Sequence, residues 1–182
     1  NSRQFIIMSF AVMETGAVVM PLSSQLSAKE LNEINQTAGL HAIIDDGSRD
    51  IPFQHTSITE ILVQNKSWRL TFNPAITQSH QFAPHVRDAA LIRFTSGTTG
   101  TSKGVILSHQ TIENRIAAAN QVLHLGPGDR VLWVLSMAYH FVVSIILYLR
   151  YGSSIILCND FLSSSILKLI NEHKATFIYS SP

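Results

Sequence analysis

The sequence predicts an α/β fold, a largely parallel sheet flanked by helices. Three observations carry this. Helical and strand-like patterns alternate from Ser2 to Asp46, and the alternation resumes at Ala89. The runs RVLWVL, SSIILC and ATFIYS are strand-like and, after Arg130, almost wholly apolar or small. Helical patterns separate these runs, as in crossover connections between parallel strands.

Taken in order, Phe5, Ile6, Phe10 and Met13 recur at helical spacing, so residues 2–15 read as a helix ended by Gly16. AVVMPL (17–22) reads as a buried strand closed by Pro21. In SAKELNEINQTAG, Ser27 and Glu30 form a capping-box pattern and Gly39 is the stop. HAIIDD (41–46) is the next strand. Residues 47–88 are polar, with Pro52, Pro74 and Pro84 spread through them. They read as a variable surface connection with a short helix near Ile58–Gln64. AALIRF (89–94) and GVILS (104–108) are strands. Ile112, Ile116, Ala119 and Leu123 mark a helix after Ser108, with Gly126 as its stop. RVLWVL, the helix FVVSIILYL, SSIILC, the helix LSSSILKLINEH and ATFIYS complete the alternation.

Composition narrows the function. The 182 residues fit one domain, 46% apolar, with only 14% charged against the usual quarter or so. The net charge is +1 and Lys and Arg are scattered, which excludes a nucleic-acid stripe. Eight histidines show no zinc-like spacing with another His or Cys, so no metal ligand is assigned. The single cysteine, Cys158, lies in an apolar run and reads as a buried thiol; with no leader pattern, the expected compartment is the cytoplasm. Val131–Leu149 holds nineteen residues without a formal charge. Its polar interruptions read as strand, loop at 136–140 and helix, with no integral membrane span.

The chemistry concentrates in FTSGTTGTSKGVILSH, Phe94 to His109. Glycines let backbone approach a phosphate, successive N–H groups form an anion nest, hydroxyls add donors, and one lysine adds charge. The Walker A pattern fails here: Ser102 stands where glycine is required and Gly104 where Ser or Thr is required. That loop would also open a helix, whereas this one leads into a strand. The G-x-G-x-x-G pattern is absent.

FTSGTTGTSKGV does resemble the phosphate-binding loop of the adenylate-forming enzymes, [YF]TSG[ST]TGxPKGV. This family comprises acyl-CoA synthetases, luciferases and the adenylation domains of peptide synthetases. Phe94, Thr95, Ser96, Gly97, Thr98, Thr99, Gly100, Lys103, Gly104 and Val105 agree, and Ser102 replaces the usual proline. The stretches AVMETGAVVMPLS, HAIIDD and SHQTI are similar to the family's flanking segments. VLWVLSMAYHF resembles a segment written LP-x-x-H, whose aromatic or His lines the acyl pocket or gates the pantetheine tunnel.

The resemblance implies a two-step reaction: ATP activates a carboxylate as acyl-adenylate, and a thiol, usually of CoA, then displaces AMP. Mg²⁺ bridges the phosphates. Within residues 94–105 it implies hydroxyl donors at Thr95, Ser96, Thr98 and Thr99, backbone shape from Gly97 and Gly100, and charge on the pyrophosphate from Lys103. It implies a substrate contact at His140. The family's adenine-binding YG-x-[ST]-E segment, ribose-binding T-G-D segment and catalytic lysine are absent from residues 1–182, which therefore read as a single partial domain from the large N-terminal domain. The chain alone is expected to be inactive and to hold no catalytic residue of its own. The expected partners are a small carboxylate and CoA. The alternatives are transfer to a carrier protein, or a short non-catalytic protein binding ATP or an acyl chain.

Overall fold

The computed structural model describes residues 1–55, 57–76, 86–95 and 103–180. Its elements are α1 (Arg3–Glu14), α2 (Ala28–Ala38), β1 (Ala42–Asp45), β2 (Thr59–Val63), β3 (Lys66–Phe72), β4 (Ala89–Thr95), β5 (Lys103–Ser108) and α3 (His109–Leu123). These are followed by β6 (Arg130–Trp133), α4 (Met137–His140), a π-helical segment (Phe141–Ile146), α5 (Leu147–Arg150), β7 (Ser154–Leu157), α6 (Ser163–His173) and β8 (Phe177–Tyr179). The chain forms two compact units: Asn1–Ser23, Asp88–Arg93 and Ile106–Pro182 make one, and Ser24–Arg87 with Phe94–Val105 make the other.

In the first unit β6 lies between β7 and β8, parallel to both. Its side chains alternate between two apolar layers. Val131 and Trp133 join Ile112, Ile116, Phe141 and Ile145 on one side. Leu132 and Val134 pack with Ile166, Leu169 and Ile170 of α6 on the other. Both faces are covered by helix, which is why RVLWVL shows no polar alternation. α1 starts where the Ser2 hydroxyl accepts the Phe5 N–H at 3.1 Å, and Phe5, Ile6 and Met13 pack on the first layer.

In the second unit β3 lies between β1 and β2, antiparallel to both. Asp45 stands opposite Arg69, whose Nη2 reaches Asp45 Oδ1 at 2.5 Å. α2 carries the expected capping box: Ser27 Oγ accepts the Glu30 N–H, and the Glu30 carboxylate accepts the Ser27 N–H. Gly39 ends it at φ +60°, in the left-handed region. A Cβ there would meet only Ile76 Cδ1, at 3.5 Å, an ordinary contact. The cost of a side chain is therefore conformational. Gly39→Ala is expected to destabilise by about 1 kcal/mol and Gly39→Asn by less, read as urea midpoints.

Several expectations are corrected. The largely parallel sheet holds for β7-β6-β8 and not for β1-β3-β2, because β1 pairs with the strand of a hairpin and not with a crossover strand. AVVMPL makes one parallel bridge, Val19 to Leu91, instead of a strand; Pro21 has no N–H to extend a ladder. The helix expected near Ile58–Gln64 is β2, hairpinned to β3 through Gln64 and Asn65, both at positive φ as the tight primed turns require. α3 ends at His124, not Gly126: His124 adopts φ +52°, and the Asn120 side chain clasps the Leu125 N–H and C=O. The loop expected at 136–140 contains the short helix α4. Among the described residues no helix is long and apolar enough to cross a membrane.

Candidate functional site

Two strands frame the glycine-rich segment. β4 buries Ala90, Leu91 and Ile92, and β5 buries Leu107, so both are anchored in apolar layers before they reach the segment. β4 and β5 pair with each other. The His109 N–H, just past β5, donates to Asp88 O, just before β4, at 3.1 Å. The start of β4 therefore lies beside the end of β5, and the other ends, Thr95 and Lys103, flank the connecting residues. Lys103 opens β5 with an exposed side chain. Ser96, Gly97, Thr98, Thr99 and Gly100 lie outside the described residues. Of the motif, the structure thus brings Thr95 and Lys103 to the same end of a strand pair.

His140 belongs to the unit built around β6. It is the last residue of α4, where the chain passes into the π-helical segment. Such segments put an extra residue into a helical turn and occur often at functional sites. Here Val143 departs from helical geometry, at φ −83° and ψ 22°. The His140 ring lies edge-on to Trp133 (6.3 Å between centroids) and Tyr179 (5.9 Å). Trp133 stacks on Tyr179 at 6.0 Å and meets Tyr148 edge-on at 6.1 Å. Burial holds the His140 imidazole below its ordinary pKa, and the positive charge of Arg93 adds to the effect. Burial, with Tyr179 adding to it, pushes the Tyr148 phenol up. With the imidazole held below its ordinary pKa and the phenol above its own, both rings favour their uncharged forms near neutral pH.

Arg93 was not singled out in the sequence. It is exposed on β4, immediately before the motif. Its position next to FTSG was the available signal, but its action on His140 depends on tertiary placement. Among the described residues no group of three His, Cys, Asp or Glu side chains gathers as a metal site.

The family described as AMP-binding enzyme matches residues 1–182. The phosphinothricin tripeptide synthetase of Streptomyces viridochromogenes is 27% identical over 97% of the chain and 17% of its own length. A 4-coumarate–CoA ligase of Oryza sativa is 24% identical over 97% of the chain and 35% of its own length. Among solved structures, the o-succinylbenzoate CoA synthetase of Bacillus subtilis in complex with its acyl-adenylate intermediate superposes with a TM-score of 0.72. It is 20% identical, over 99% of the chain and 47% of the enzyme. The chain spans less than half the length of each.

Proposed function

This chain belongs to the AMP-binding enzyme family, the adenylate-forming enzymes, and from that premise we propose that it holds the triphosphate of ATP in an acid–thiol ligase. In the proposed reaction a carboxylate oxygen attacks the α-phosphorus of ATP. The bond from that phosphorus to the β-bridging oxygen breaks, and pyrophosphate leaves. The sulfur of CoA then attacks the acyl carbon of the adenylate and AMP departs. Such displacements are accelerated by positioning and by fixed charge where negative charge grows.

The observation that carries this reading is FTSGTTGTSKGV running from one strand to its paired neighbour, with Thr95 and Lys103 at its two ends. Hydroxyls of Thr95, Ser96, Thr98 and Thr99 and the backbone around Gly97 and Gly100 would donate to the β- and γ-phosphates. Lys103 would neutralise the departing pyrophosphate. Mg²⁺, when bound, screens phosphate charge; no described residue is assigned as its ligand. His140 would contact the acyl group.

A second reading keeps the adenylation and changes the acceptor to the thiol of a carrier protein. The similarity to a peptide synthetase, as strong as that to the rice CoA ligase, supports it. ATP–pyrophosphate exchange by the native-length protein over a panel of carboxylic acids tests the shared step. Acid-dependent exchange is expected; exchange with no acid would remove both readings. Thioester formation with CoA, against that with a pantetheinylated carrier, separates the two.

A further inference from the structure

Two cavities lie wholly within the second unit, one of about 700 Å³ and one of about 480 Å³. Both fall in the range of about 300–1,000 Å³ usual for small-molecule sites. Ala28 and Leu31 of α2, together with Asp50, line both, so the cavities meet along the first turn of α2 as one trough. Its two ends differ in chemistry. Ile51, Pro52, Phe53 and Pro74 wall one end. Arg49 and Arg69 stand at the other. None of the lining residues belongs to the 94–105 motif.

Most of the charge around the trough is already matched. Arg69 Nε and Nη2 donate to Asp45 Oδ1 at 2.9 and 2.5 Å, and Nη2 also donates to Arg49 O at 2.7 Å. Lys66 faces Asp46 at 3.8 Å, and Lys29 faces Glu33 at 3.9 Å. The Glu30 carboxylate accepts from the Ser27 N–H and hydroxyl. Among the described residues neither Arg49 nor Asp50 forms an ion pair. Arg49 is nonetheless held in place, donating through Nη1 to Leu26 O ahead of α2. The apolar end is tied to α2 as well: Asn35 Nδ2 donates to Pro52 O at 3.4 Å. His55, the other ionisable group on the trough, keeps a ring nitrogen 3.4 Å from Phe53 O. The trough thus presents one unmatched cation, one unmatched anion next to it in the chain, and an apolar end.

A simple carboxylate would gain from Arg49 but lie against Asp50, and a simple ammonium group would meet the reverse. A zwitterion with an apolar body satisfies both charges and the apolar walls together. We propose that this trough is a binding site for a free α-amino acid with an apolar side chain. Arg49 takes the carboxylate, Asp50 takes the ammonium group, and the side chain lies among Ile51, Pro52, Phe53 and Pro74. A residue inside a peptide carries neither charge on its backbone, so the free amino acid is the occupant. The inference stands apart from the ligase reading: the amino acid is bound here and not activated.

The test is a ligand-observed NMR titration of the native-length protein, without ATP, using three probes. They are phenylalanine, 3-phenylpropanoate, which lacks the ammonium group, and phenethylamine, which lacks the carboxylate. Phenylalanine is expected to bind about 5-fold more tightly than either, the upper end for ion pairs made at an exposed site. Arg49→Gln is expected to erase the advantage over phenethylamine and keep the advantage over 3-phenylpropanoate. Asp50→Asn is expected to do the opposite, and Arg49→Lys to keep both. The ratios are the readout because a folding defect weakens all three probes together. Equal affinities for the three probes, a ratio left unmoved by the variant expected to erase it, or no saturable binding of phenylalanine in the millimolar range overturns the inference. Each of these outcomes leaves the ligase reading intact.

Discussion

Replacing Lys103 with methionine in the native-length protein is expected to slow ATP–pyrophosphate exchange by roughly 100-fold, the usual cost of removing one fixed charge or donor from a developing anion. Lys103 is the first residue of β5 and its side chain is exposed. Methionine keeps much of the apolar stem and loses only the charge, so the fold should persist, with an unchanged circular dichroism spectrum. The loss should fall on kcat more than on KM, because the negative charge that Lys103 meets grows as pyrophosphate departs. Arginine should restore part of the rate: it keeps the charge but replaces a compact ammonium with a planar fork. A methionine variant that exchanges at the wild-type rate would remove Lys103 from the phosphate site.

The second large effect concerns stability. Trp133 is completely buried on the central strand and touches His140, Tyr148 and Tyr179 through its ring. Trp133→Ala is expected to cost about 3–5 kcal/mol, since the surrounding rings cannot collapse fully into the space left. Against a total stability of about 5–15 kcal/mol, that is enough to move a urea midpoint by roughly 1 M or more. Trp133→Phe should cost only about 1 kcal/mol. It keeps an aromatic ring, and the indole N–H it removes has no hydrogen-bond partner among the described residues. Equal midpoints for the alanine and phenylalanine variants would mean that the aromatic cluster does not hold this unit together.

What could be read from sequence was what local chemistry encodes. The Ser27–Glu30 box and Gly39 mark both ends of α2 because caps involve residues only a few positions apart. β6 was legible because both its faces are covered. β2 was not: Ile58, Ile61 and Leu62 suit helical spacing as well as a strand, and Gln64–Asn65 lacks the glycine that usually announces a two-residue hairpin. The antiparallel β1–β3 pairing was hidden with it. At the site, the letters around Lys103 carried the family resemblance unaided. Tyr179 comes to His140 from a distant strand, and no pattern near His140 foretells it.

The two units share a braided backbone. The chain passes from one to the other at 23/24, 87/88, 93/94 and 105/106. One proteolytic cut in the segment 47–58 would leave two peptides, each holding pieces of both units, and neither could depart without dismantling the pair. Heredity meets the same constraint: no single recombination breakpoint can carry one unit away intact. The units are therefore bound to travel through evolution as a single exchangeable module, and strands β4 and β5, whose residues are divided between the two, travel with them.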